Sequence, residues 1–580
     1  MSSKMVNATT EVLNLDLCAN LKCKIISRAQ IQWRQDANYC MLVLGNIHYS
    51  SHAVGVEQLA DLYLKSDNLQ AFYDQLAGQF FLLIFDSALE LLHLAVDPMG
   101  IQTCYYSKQN GCLHISESLD LIKNTEGIDC TVSEQAIFNY FYFHCIPAPA
   151  TIYRECSKLE PGKAASFSRD GSVNFTSLFH PEFVSDCEDP VLLQTRCLEV
   201  NDDAVERCIS EDCGAFLSGG LDSSTVAGML SRHQPGARTF SIGFDAPDYD
   251  ETPYAKLTAK HFGTQHDVLY LTAEHAVEEI VTIAQYFEEP FGNSSAMAAY
   301  FCAKFAKSHG VDSLLAGDGG DELFAGNSHY AKQKQFEIFC QAPTWIKSLL
   351  RSLFTNKAVS RLPLFRKAAS YINQADIPLP DRIEVYSFVH QFGVANMFSP
   401  DFLRRVNSDQ PLLQQQSRYR ECTSEDTVDR MLYFDWKFTL ADNDLVKVKK
   451  MCELAGVAVH FPLLDRAVVD FSCQVPAPVK LPGFKLRDFY KKSCAGFLAE
   501  STLTKRKHGF GLPFGLWMKE NEQLMKLTVD CLESFRARNI VSATLIDDAL
   551  KSHCSVHAGY YGELIWLMVT LELWLQREVK

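Results

Sequence analysis

The sequence predicts an α/β protein made of two unlike halves, and three observations support this fold class. The chain has 580 residues, which is too long for one hydrophobic core and is typical of two to four domains. Short β-type segments dominate up to about residue 120, whereas strand and helix patterns alternate later in the chain. Two prolines and an acidic cluster separate the two patterns around residues 178–191. We therefore expect one domain over residues 1–185 and another over residues 186–580.

The first half carries apolar segments such as "YCMLVLGNIHY" and "GQFFLLIFDSALELLHLAVD", which are joined by Gly-Asn and Asn-Gly turns. This pattern predicts stacked antiparallel strands. In the second half, "GAFLSGG", "TFSIGF", "HDVLYL" and "VDSLLAGDGG" are predicted strands that alternate with amphipathic helices. Such alternation indicates a parallel, doubly wound sheet with helices on both faces. Beyond residue 333 the chain is predicted to be mostly helical.

Composition excludes several classes of function. The 70 carboxylates outnumber the 54 Lys and Arg residues, which disfavours a nucleic-acid partner. The twenty cysteines form no CxxC pair, so the sequence indicates neither a zinc ribbon nor a disulfide scaffold. No signal peptide is evident and no apolar run reaches membrane-spanning length, so we expect a cytoplasmic protein with no membrane partner.

One glycine-serine turn, "FLSGGLDSS", follows a predicted strand and precedes a predicted helix. Glycines let a backbone approach phosphate closely, and the amides of a helix N-terminus and serine hydroxyls donate hydrogen bonds to anions. A second stretch, "AGDGGDELFAGN", follows a later strand, so its acids should face the same crevice as Asp222. Opposed carboxylates beside a polyphosphate suit Mg²⁺.

These two strings resemble those of the asparagine synthetase family, which belongs to the PP-loop ATP pyrophosphatases and includes β-lactam synthetases and lasso-peptide macrolactam cyclases. "EEPFGNSSA", "FPLLDRAVVDF" and "KRKHGFGLPFGLW" extend the resemblance along the second half, and "LAGQFFLLIFDSALELLHLAVDPMGIQTCYY" extends it to the first. The resemblance implies an N-terminal Ntn-hydrolase-like αββα sandwich, of the class II glutamine amidotransferase type, and a C-terminal PP-loop domain of the adenine nucleotide α hydrolase-like kind with a helical extension.

The same resemblance implies site residues and the cofactors ATP and Mg²⁺. Asp222 and Asp321 would bind magnesium, Asp318 falls at a position implicated in the chemistry, and Lys507 would stabilise the oxyanion of acyl transfer. Among the implied ATP-binding residues, Leu217, Ile242 and Gly317 would border the adenine. The others would hold the phosphates, with Asp222 included among the ATP-binding residues: Ser218, Gly219, Gly220, Ser223 and Ser224.

Several departures bear on the substrate. The family's glutaminase uses an N-terminal cysteine, but position 2 is Ser2, and the glutamine-binding segment N-G-E-I-Y-N is reduced to "LGNIHYS". Cys18 and Cys23 are expected to be structural. Lys449 replaces the acid of K-V-D, and residues 457–462 lack the acid and the arginine of V-E-x-R-x-P. We expect these two changes to lie near the acceptor pocket and to disfavour aspartate as substrate.

The leading hypothesis is therefore an ATP-dependent amide synthetase. It would adenylate a small-molecule or peptide carboxylate, release pyrophosphate and AMP, and join the acyl group to an amine that does not come from glutamine, on the same molecule or on a second one. One alternative is a glutamine- or ammonia-dependent asparagine synthetase. Another is a non-catalytic partner subunit. The sequence leaves open a protein partner or a homodimer.

Overall fold

The structure is a computed structural model. It describes residues 11–18, 21–29, 31–36, 39–49, 52–187, 189–246, 248–354, 363–505 and 511–579.

The first half is a sandwich of two sheets with helices outside them. One sheet has the strand order β1-β2-β9-β8-β10, and the other has the order β12-β11-β7-β6-β4-β3 with β5 paired to β4. The strands are β1 (Glu11–Cys18), β2 (Leu21–Ser27), β3 (Gln32–Gln35), β4 (Tyr39–Tyr49), β5 (His52–Ala53), β6 (Leu76–Asp86), β7 (Leu91–Val96), β8 (Tyr105–Gln109), β9 (Cys112–Ser116), β10 (Ser157–Lys158), β11 (Lys163–Ser168) and β12 (Val173–Ser177).

Apolar side chains from both sheets meet in one core. Ile25 and Ile115 reach it from the first sheet, and Leu42, Leu83 and Phe167 reach it from the second. The alternation of inward and outward side chains along each strand produces this layer. Four helices accompany the sheets: α1 (Val56–Lys65), α2 (Leu69–Tyr73), α3 (Leu119–Lys123) and α4 (Glu134–Phe143).

The predicted antiparallel strands are largely confirmed, with two differences. The pair β2 and β9 is parallel, with Ile25 opposite Ile115. The helices α1 and α2, which were not predicted, lie inside the stretch in which β-type segments dominate. This helical pair contains Leu59, Ala60 and Phe72, which are fully buried and pack into the core on the outer side of the second sheet.

The second half contains the predicted parallel sheet. Its order is β15-β14-β13-β16-β17, and every neighbouring pair is parallel. The strands are β13 (Cys213–Phe216), β14 (Arg238–Phe244), β15 (Gln265–Leu271), β16 (Ser313–Leu315) and β17 (Ala458–His460). Since the order reverses between β13 and β16, the crevice at their carboxyl ends is the expected ligand site.

Helices cover this sheet and extend it. The helices next to the sheet are α5 (Pro190–Arg207), α6 (Leu221–His233), α7 (Thr252–Phe262), α8 (Ala273–Tyr286), α9 (Ala296–Ser308) and α10 (Gly320–Phe324). The extension comprises α11 (Ser328–Gln341), α12 (Thr344–Phe354), α13 (Pro363–Ala375), α14 (Phe388–Phe392), α15 (Val394–Met397), α16 (Pro400–Leu403), α17 (Gln410–Glu421), α18 (Thr427–Asp435), α19 (Leu445–Ala455), α20 (Arg466–Cys473), α21 (Ala477–Lys480), α22 (Asp488–Ser493), α23 (Glu500–Thr504), α24 (Phe514–Glu520), α25 (Glu522–Ala537), α26 (Ala543–Ser555) and α27 (Ala558–Val579).

Two further features stand in the helical region. A π-helical stretch, Trp436–Asp444, links α18 to α19, and 3₁₀ turns occupy Asp381–Tyr386 and Pro462–Leu464. The strand β17 was not predicted, because its three residues are too few to show a period of two. None of the helices in the described ranges combines the length and apolar character needed to cross a membrane.

A buried ion pair and buried hydrogen bonds join the two halves. The Lys158 ammonium lies 2.9 Å from Asp442 Oδ1, and Glu288 accepts hydrogen bonds from Ser118 Oγ at 2.6 Å and from the Leu119 amide at 3.0 Å. The first half is thereby fixed against the helices that border the parallel sheet. The domain boundary near residue 185 stays a prediction.

Candidate active site

A cavity of about 1170 Å³ opens at the carboxyl ends of β13, β14 and β16. The turn after β13, the first residues of α6 and the loop from Gly317 to Asp321 form its walls, and α19 and the segment around Arg487 complete it. The two strings singled out in the sequence are thus brought together, although about a hundred residues separate them.

The glycine-serine turn is organised by its own hydroxyls. Ser218 Oγ lies 2.9 Å from Ser223 Oγ and accepts a hydrogen bond from the Gly220 amide at 3.3 Å. Gly220 is the N-cap of α6, and no side chain caps that helix. The amides of a helix's first turn lack helical partners, so an uncapped N-terminus at a cavity wall suits an anion.

Two of the predicted phosphate-binding residues lie to the side of the cavity. Gly219 has a φ of +69°, and a Cβ there would clash with the backbone of Tyr254 and Ala255. Ser224 is fully buried, and its hydroxyl lies 3.2 Å from Thr258 Oγ1. Both residues therefore lie against α7, and they fix the position of the turn relative to that helix.

The three residues predicted to border adenine, Leu217, Ile242 and Gly317, all line the cavity. Ser241 Oγ donates a hydrogen bond to the Leu217 carbonyl, which fixes the strand end. A Cβ on Gly317 would come within 2.7 Å of the Ser223 amide nitrogen. This glycine therefore allows the loop after β16 to approach the start of α6.

The two predicted magnesium ligands face each other across an arginine. The Arg487 guanidinium lies 3.0 Å from Asp222 Oδ2 and also pairs with Asp321. The other oxygen of Asp222, Oδ1, is buried with no hydrogen-bond partner, and a Cβ on Gly320 would collide with this carboxylate. Two carboxylates that share a cationic partner are oxygen donors of the kind Mg²⁺ takes, so these residues fit the ion.

Metal binding by protein side chains alone is not indicated here. Within the described ranges, no group of three or more His, Cys, Asp or Glu side chains is arranged to hold a metal ion. Magnesium commonly uses one or two carboxylates and completes its shell with water and substrate phosphate. A site in which Asp222 and Asp321 are the only protein ligands agrees with this coordination.

Asp318 lines the same cavity, and its carboxyl is influenced by a nearby lysine. Burial raises the pKa of its carboxyl to about 6, Lys447 opposes this rise, and Asp444 adds to it. The Lys447 ammonium donates to Asp444 Oδ1 at 2.7 Å. Burial lowers the pKa of Lys447, but Asp444 and Asp318 outweigh that effect and raise it overall. The three groups form a charged cluster that can hold a reacting carboxylate or amine.

A second lysine reaches the glycine-serine turn. Lys505 Nζ lies 3.3 Å from the Ser218 carbonyl and 3.0 Å from Glu251 Oε1. Burial lowers its pKa, an effect that Glu251 opposes. Lys507, the predicted catalytic lysine, lies outside the described residues.

Sequence reasoning did not assign roles to Arg487, Lys447 or Lys505, which all line the cavity. Each is one of many surface-type cations in the sequence, and only the fold brings it to the site. The available signal was the clustering of Lys and Arg just before α22 and just before the "HGFG" string.

The substitutions that were expected near the acceptor pocket do not line the cavity. Lys449 is directed at the first half of the chain, where it donates to the Ile101 carbonyl at 2.9 Å and to Gln102 Oε1 at 2.6 Å. Residues 458–460 form β17, and none of the residues 457–462 is among those that line the cavity. Lys449 points away because it lies two positions after Lys447 on one helix, about 200° round the axis.

The first half shows thiols that are packed into its core. Cys23, Cys40 and Cys104 are buried, and burial raises the pKa of Cys40 to about 11 and that of Cys104 well above its usual value. Such thiols are inert. Residues 44–49 continue β4, and His48 and Tyr49 pair with β5. Ser2 lies outside the described residues, and so does the side chain of Cys18.

A doubly wound sheet with an uncapped glycine-serine turn and paired acids at its switch point defines a nucleotide-dependent enzyme class. Comparison with known proteins identifies the family within this class. Residues 197–576 match the asparagine synthase family model, and residues 48–178 match the glutamine amidotransferase domain model. The chain belongs to the asparagine synthase family, whose members are ATP-dependent ligases that form C–N bonds.

Three relatives illustrate the similarity. Asparagine synthetase [glutamine-hydrolyzing] 1 of Bacillus subtilis is 26% identical over 506 residues, covering 86% of this chain and 77% of the relative. A putative asparagine synthetase of Mycobacterium tuberculosis is 26% identical over 517 residues, with 86% and 76% covered. A putative asparagine synthetase of Methanocaldococcus jannaschii is 28% identical over 405 residues, with 66% and 74% covered.

Proposed function

We propose that this enzyme adenylates a carboxylate with Mg²⁺ and ATP in the cavity and transfers the acyl group to an amine that its own first half does not release from glutamine. The substrate is a small-molecule or peptide carboxylate, and the amine belongs to the same molecule or to a second one. The observation that carries the proposal is the meeting of the uncapped turn at Ser218–Gly220 with the Asp222–Arg487–Asp321 pairs in one cavity.

The geometry supports the nucleotide half of this reaction. The hydroxyls of Ser218 and Ser223 and the start of α6 offer donors for phosphate oxygens. Asp222 and Asp321 would hold Mg²⁺, which would neutralise phosphate charge. Arg487 and Lys505 add cations within the same walls, and such groups stabilise the charge that develops on a departing pyrophosphate.

The cluster at Asp318 supports the acyl-transfer half. A carboxyl with a pKa of about 6 is ionised at neutral pH and can accept a proton from an attacking ammonium group. Lys447 lies close enough to influence the pKa of Asp318, and it can orient a carboxylate substrate. Lys507 remains our proposed cation for the tetrahedral oxyanion.

The inference that the amine does not come from glutamine depends on the first half of the chain. The thiols of Cys23, Cys40 and Cys104 are buried, so none of them is a nucleophile open to glutamine. The segment at residues 44–50 differs from the family's glutamine-binding string. These features favour a sandwich that has kept its packing without hydrolysing glutamine.

Asparagine synthesis is the second candidate, and one observation favours it. Lys449 and residues 457–462 do not line the cavity, so their changes do not alter its walls. The cations Lys447, Lys485 and Lys491 do line it, and they could receive the second carboxylate of aspartate.

Pyrophosphate release separates these candidates. The full-length enzyme is assayed with Mg²⁺ and ATP, with aspartate or another carboxylate, and with glutamine, ammonia or a primary amine in turn. We expect ammonia or an amine to support turnover and glutamine to give no glutamate. Glutamate formation would overturn the proposed amine source, and asparagine formed from aspartate and ammonia would favour the second candidate. Absence of pyrophosphate under every condition would overturn adenylation itself.

A further inference from the structure

Two cysteines of the first half lie side by side at the base of one loop. Cys130 follows α3, and Cys156 comes just before β10, so residues 131–155 form the loop between them. Both are free thiols, with Cys130 half-buried and Cys156 only 3% exposed. Their side chains hydrogen-bond to each other. Two thiols in contact are the reactants from which a disulfide forms.

Backbone pairing brings the two segments together. Val132 and Tyr153 form an antiparallel bridge. Continuing this register places Cys130 opposite Glu155, the residue before Cys156. Residues opposite each other in an antiparallel pair have Cα atoms about 4.5–5.5 Å apart, and disulfides span Cα separations of about 4.4–6.8 Å. The backbone therefore brings the two cysteines into the range from which a disulfide can form.

Strand β8 fixes the residues that precede both cysteines. The Asp129 amide donates to Gln109 Oε1 at 2.8 Å, and Ser107 Oγ donates to the Glu155 carbonyl at 2.7 Å. Gln109 Nε2 also donates to Ser107 Oγ at 2.9 Å. Because one strand anchors both segments, these contacts limit how far the two thiols can separate.

The two thiols differ in reactivity. The hydrogen bond with Cys156 lowers the pKa of the Cys130 thiol, burial opposes this effect, and Lys123 adds to it. The same hydrogen bond and burial together raise the pKa of Cys156. A partly exposed thiol with a lowered pKa is the one that attacks an oxidant, and a neighbouring thiol then resolves the product.

We propose that Cys130 and Cys156 form a reversible disulfide when the protein meets a low-molecular-weight disulfide such as oxidised glutathione. The Cys130 thiolate attacks one sulfur of the oxidant, which breaks the S–S bond of the oxidant and releases one thiolate. Cys156 then loses its proton to water and attacks the Cys130 sulfur of the mixed disulfide, which releases the second thiolate. Two protein thiols are thereby oxidised, and one small disulfide is reduced to two thiols.

The disulfide would close a loop through which the first half contacts the second. This loop contains α4, where the Tyr140 hydroxyl donates to the Leu567 carbonyl at 2.9 Å. The Ile152 amide donates to Glu289 Oε1 at 2.8 Å. A covalent link at the base of the loop restricts the unfolded chain and so stabilises the folded form. We therefore expect oxidation to stabilise the contact between the two halves.

Peptide mapping of the full-length protein tests the proposal. Trypsin separates the two cysteines into peptides 124–154 and 155–158. The native protein is incubated with oxidised glutathione, and its remaining thiols are alkylated before digestion. We expect the two peptides to be joined, with a mass two hydrogens below their sum, and dithiothreitol to separate them. Because peptide 124–154 also contains Cys145, fragmentation of the joined peptides assigns the bond to Cys130.

Variants supply the controls for this mapping. Cys130→Ser should give no joined peptides. The matched control is Cys554→Ser, which removes an exposed thiol of the second half and should give the joined peptides as the wild type does. Absence of joined peptides from the native protein, their formation only after unfolding in urea, or a glutathione adduct that persists on Cys130 would overturn the proposal.

Thermal unfolding measures the constraint that the bond places on the loop. The oxidised wild type should melt at least about 3 °C above the reduced protein. Cys130→Ser should melt at the same temperature under both conditions, because it cannot form the bond. Equal melting temperatures for the oxidised and reduced wild type would overturn the stabilising role of the disulfide.

Discussion

Two carboxylates, one in each half of the chain, differ in how their oxygens are used. In the first half, Asp97 accepts hydrogen bonds from the amides of Met99, Ile101 and Gln102 at 3.2, 3.0 and 2.8 Å. In the second half, Asp222 keeps a buried oxygen with no hydrogen-bond partner at the cavity wall. A satisfied carboxylate holds a loop in place, whereas an incompletely satisfied one is available to a ligand.

Two lysines on α19 show the same contrast over a shorter distance. Lys447 points into the cavity toward Asp444, and Lys449 spans to the loop that contains Ile101. Because they are two positions apart on the helix, Lys447 lies in the site and Lys449 lies at the contact between the two halves. The following substitutions test this division.

The largest effect is expected for Asp222→Asn. Removing the charge of a proposed magnesium ligand should lower ATP-dependent pyrophosphate release by about 100-fold or more, with stability changed by less than about 1 kcal/mol. The matched control is Asp97→Asn, which should destabilise the fold by about 1–3 kcal/mol and leave the turnover of folded enzyme near that of the wild type. Turnover lost in Asp97→Asn but kept in Asp222→Asn would reverse the contrast.

Lys447→Met and Lys449→Met form the next pair. Lys447→Met should reduce amide formation about 10- to 100-fold, because Asp318 and Asp444 lose their cation at the proposed acyl-transfer site. Lys449→Met should lower the free energy of unfolding by about 1–2 kcal/mol through its two lost hydrogen bonds, with turnover changed about twofold at most. Steady-state rates and urea unfolding of both variants check this, and equal losses of turnover would contradict it.

Alanine substitutions at Gly219 and Gly263 compare the glycine-serine turn with an ordinary helix end. Gly263 has a φ of +68°, and a Cβ there would have no atom within 4 Å, so Gly263→Ala should cost about 1–2 kcal/mol for the left-handed backbone alone. At Gly219, with φ +69°, the clash with α7 should add about 1–3 kcal/mol and also displace the turn. Thermal unfolding of both variants measures the difference, and equal destabilisation would show that the turn does not press on α7.

The smallest effect concerns pH. Because burial raises the pKa of Asp318 from 3.8 to about 6, the folded protein binds more protons than the unfolded chain in that window, and this group makes stability fall as pH rises through it. Asp318→Asn cannot ionise, so its melting temperature should exceed that of the wild type above about pH 6 and match it below about pH 4. A difference that does not vary with pH would contradict this assignment.

Much of the fold follows from local patterns in the sequence. The alternation after residue 186 predicts the parallel sheet because each strand and helix shows its own period, and the glycine-serine turn fixes where α6 begins. The strand β17 was missed because three residues among helices carry no period. The phosphate role of Ser224, whose hydroxyl lies 3.2 Å from Thr258 Oγ1, stays a prediction.

The charged side chains of the cavity could not be predicted in the same way. Arg487 lies more than 160 positions after Asp321 in the sequence. The sequence does not distinguish Lys449 from Lys447, because the direction of each side chain depends on how the helix packs. Burial and pairing in the tertiary structure decide such roles, and one sequence holds no local signal for them.

The central claim is that this cavity is the ATP site, and calorimetry with α,β-methylene-ATP tests it most directly. This analogue resists cleavage between its α and β phosphates, so binding is measured without turnover. We expect the wild-type protein to bind it in the presence of Mg²⁺, Asp222→Asn to bind it at least about tenfold more weakly, and Asp97→Asn to bind it as the wild type does. Equal affinity in the wild type and Asp222→Asn, or no binding to the wild type, would contradict the account.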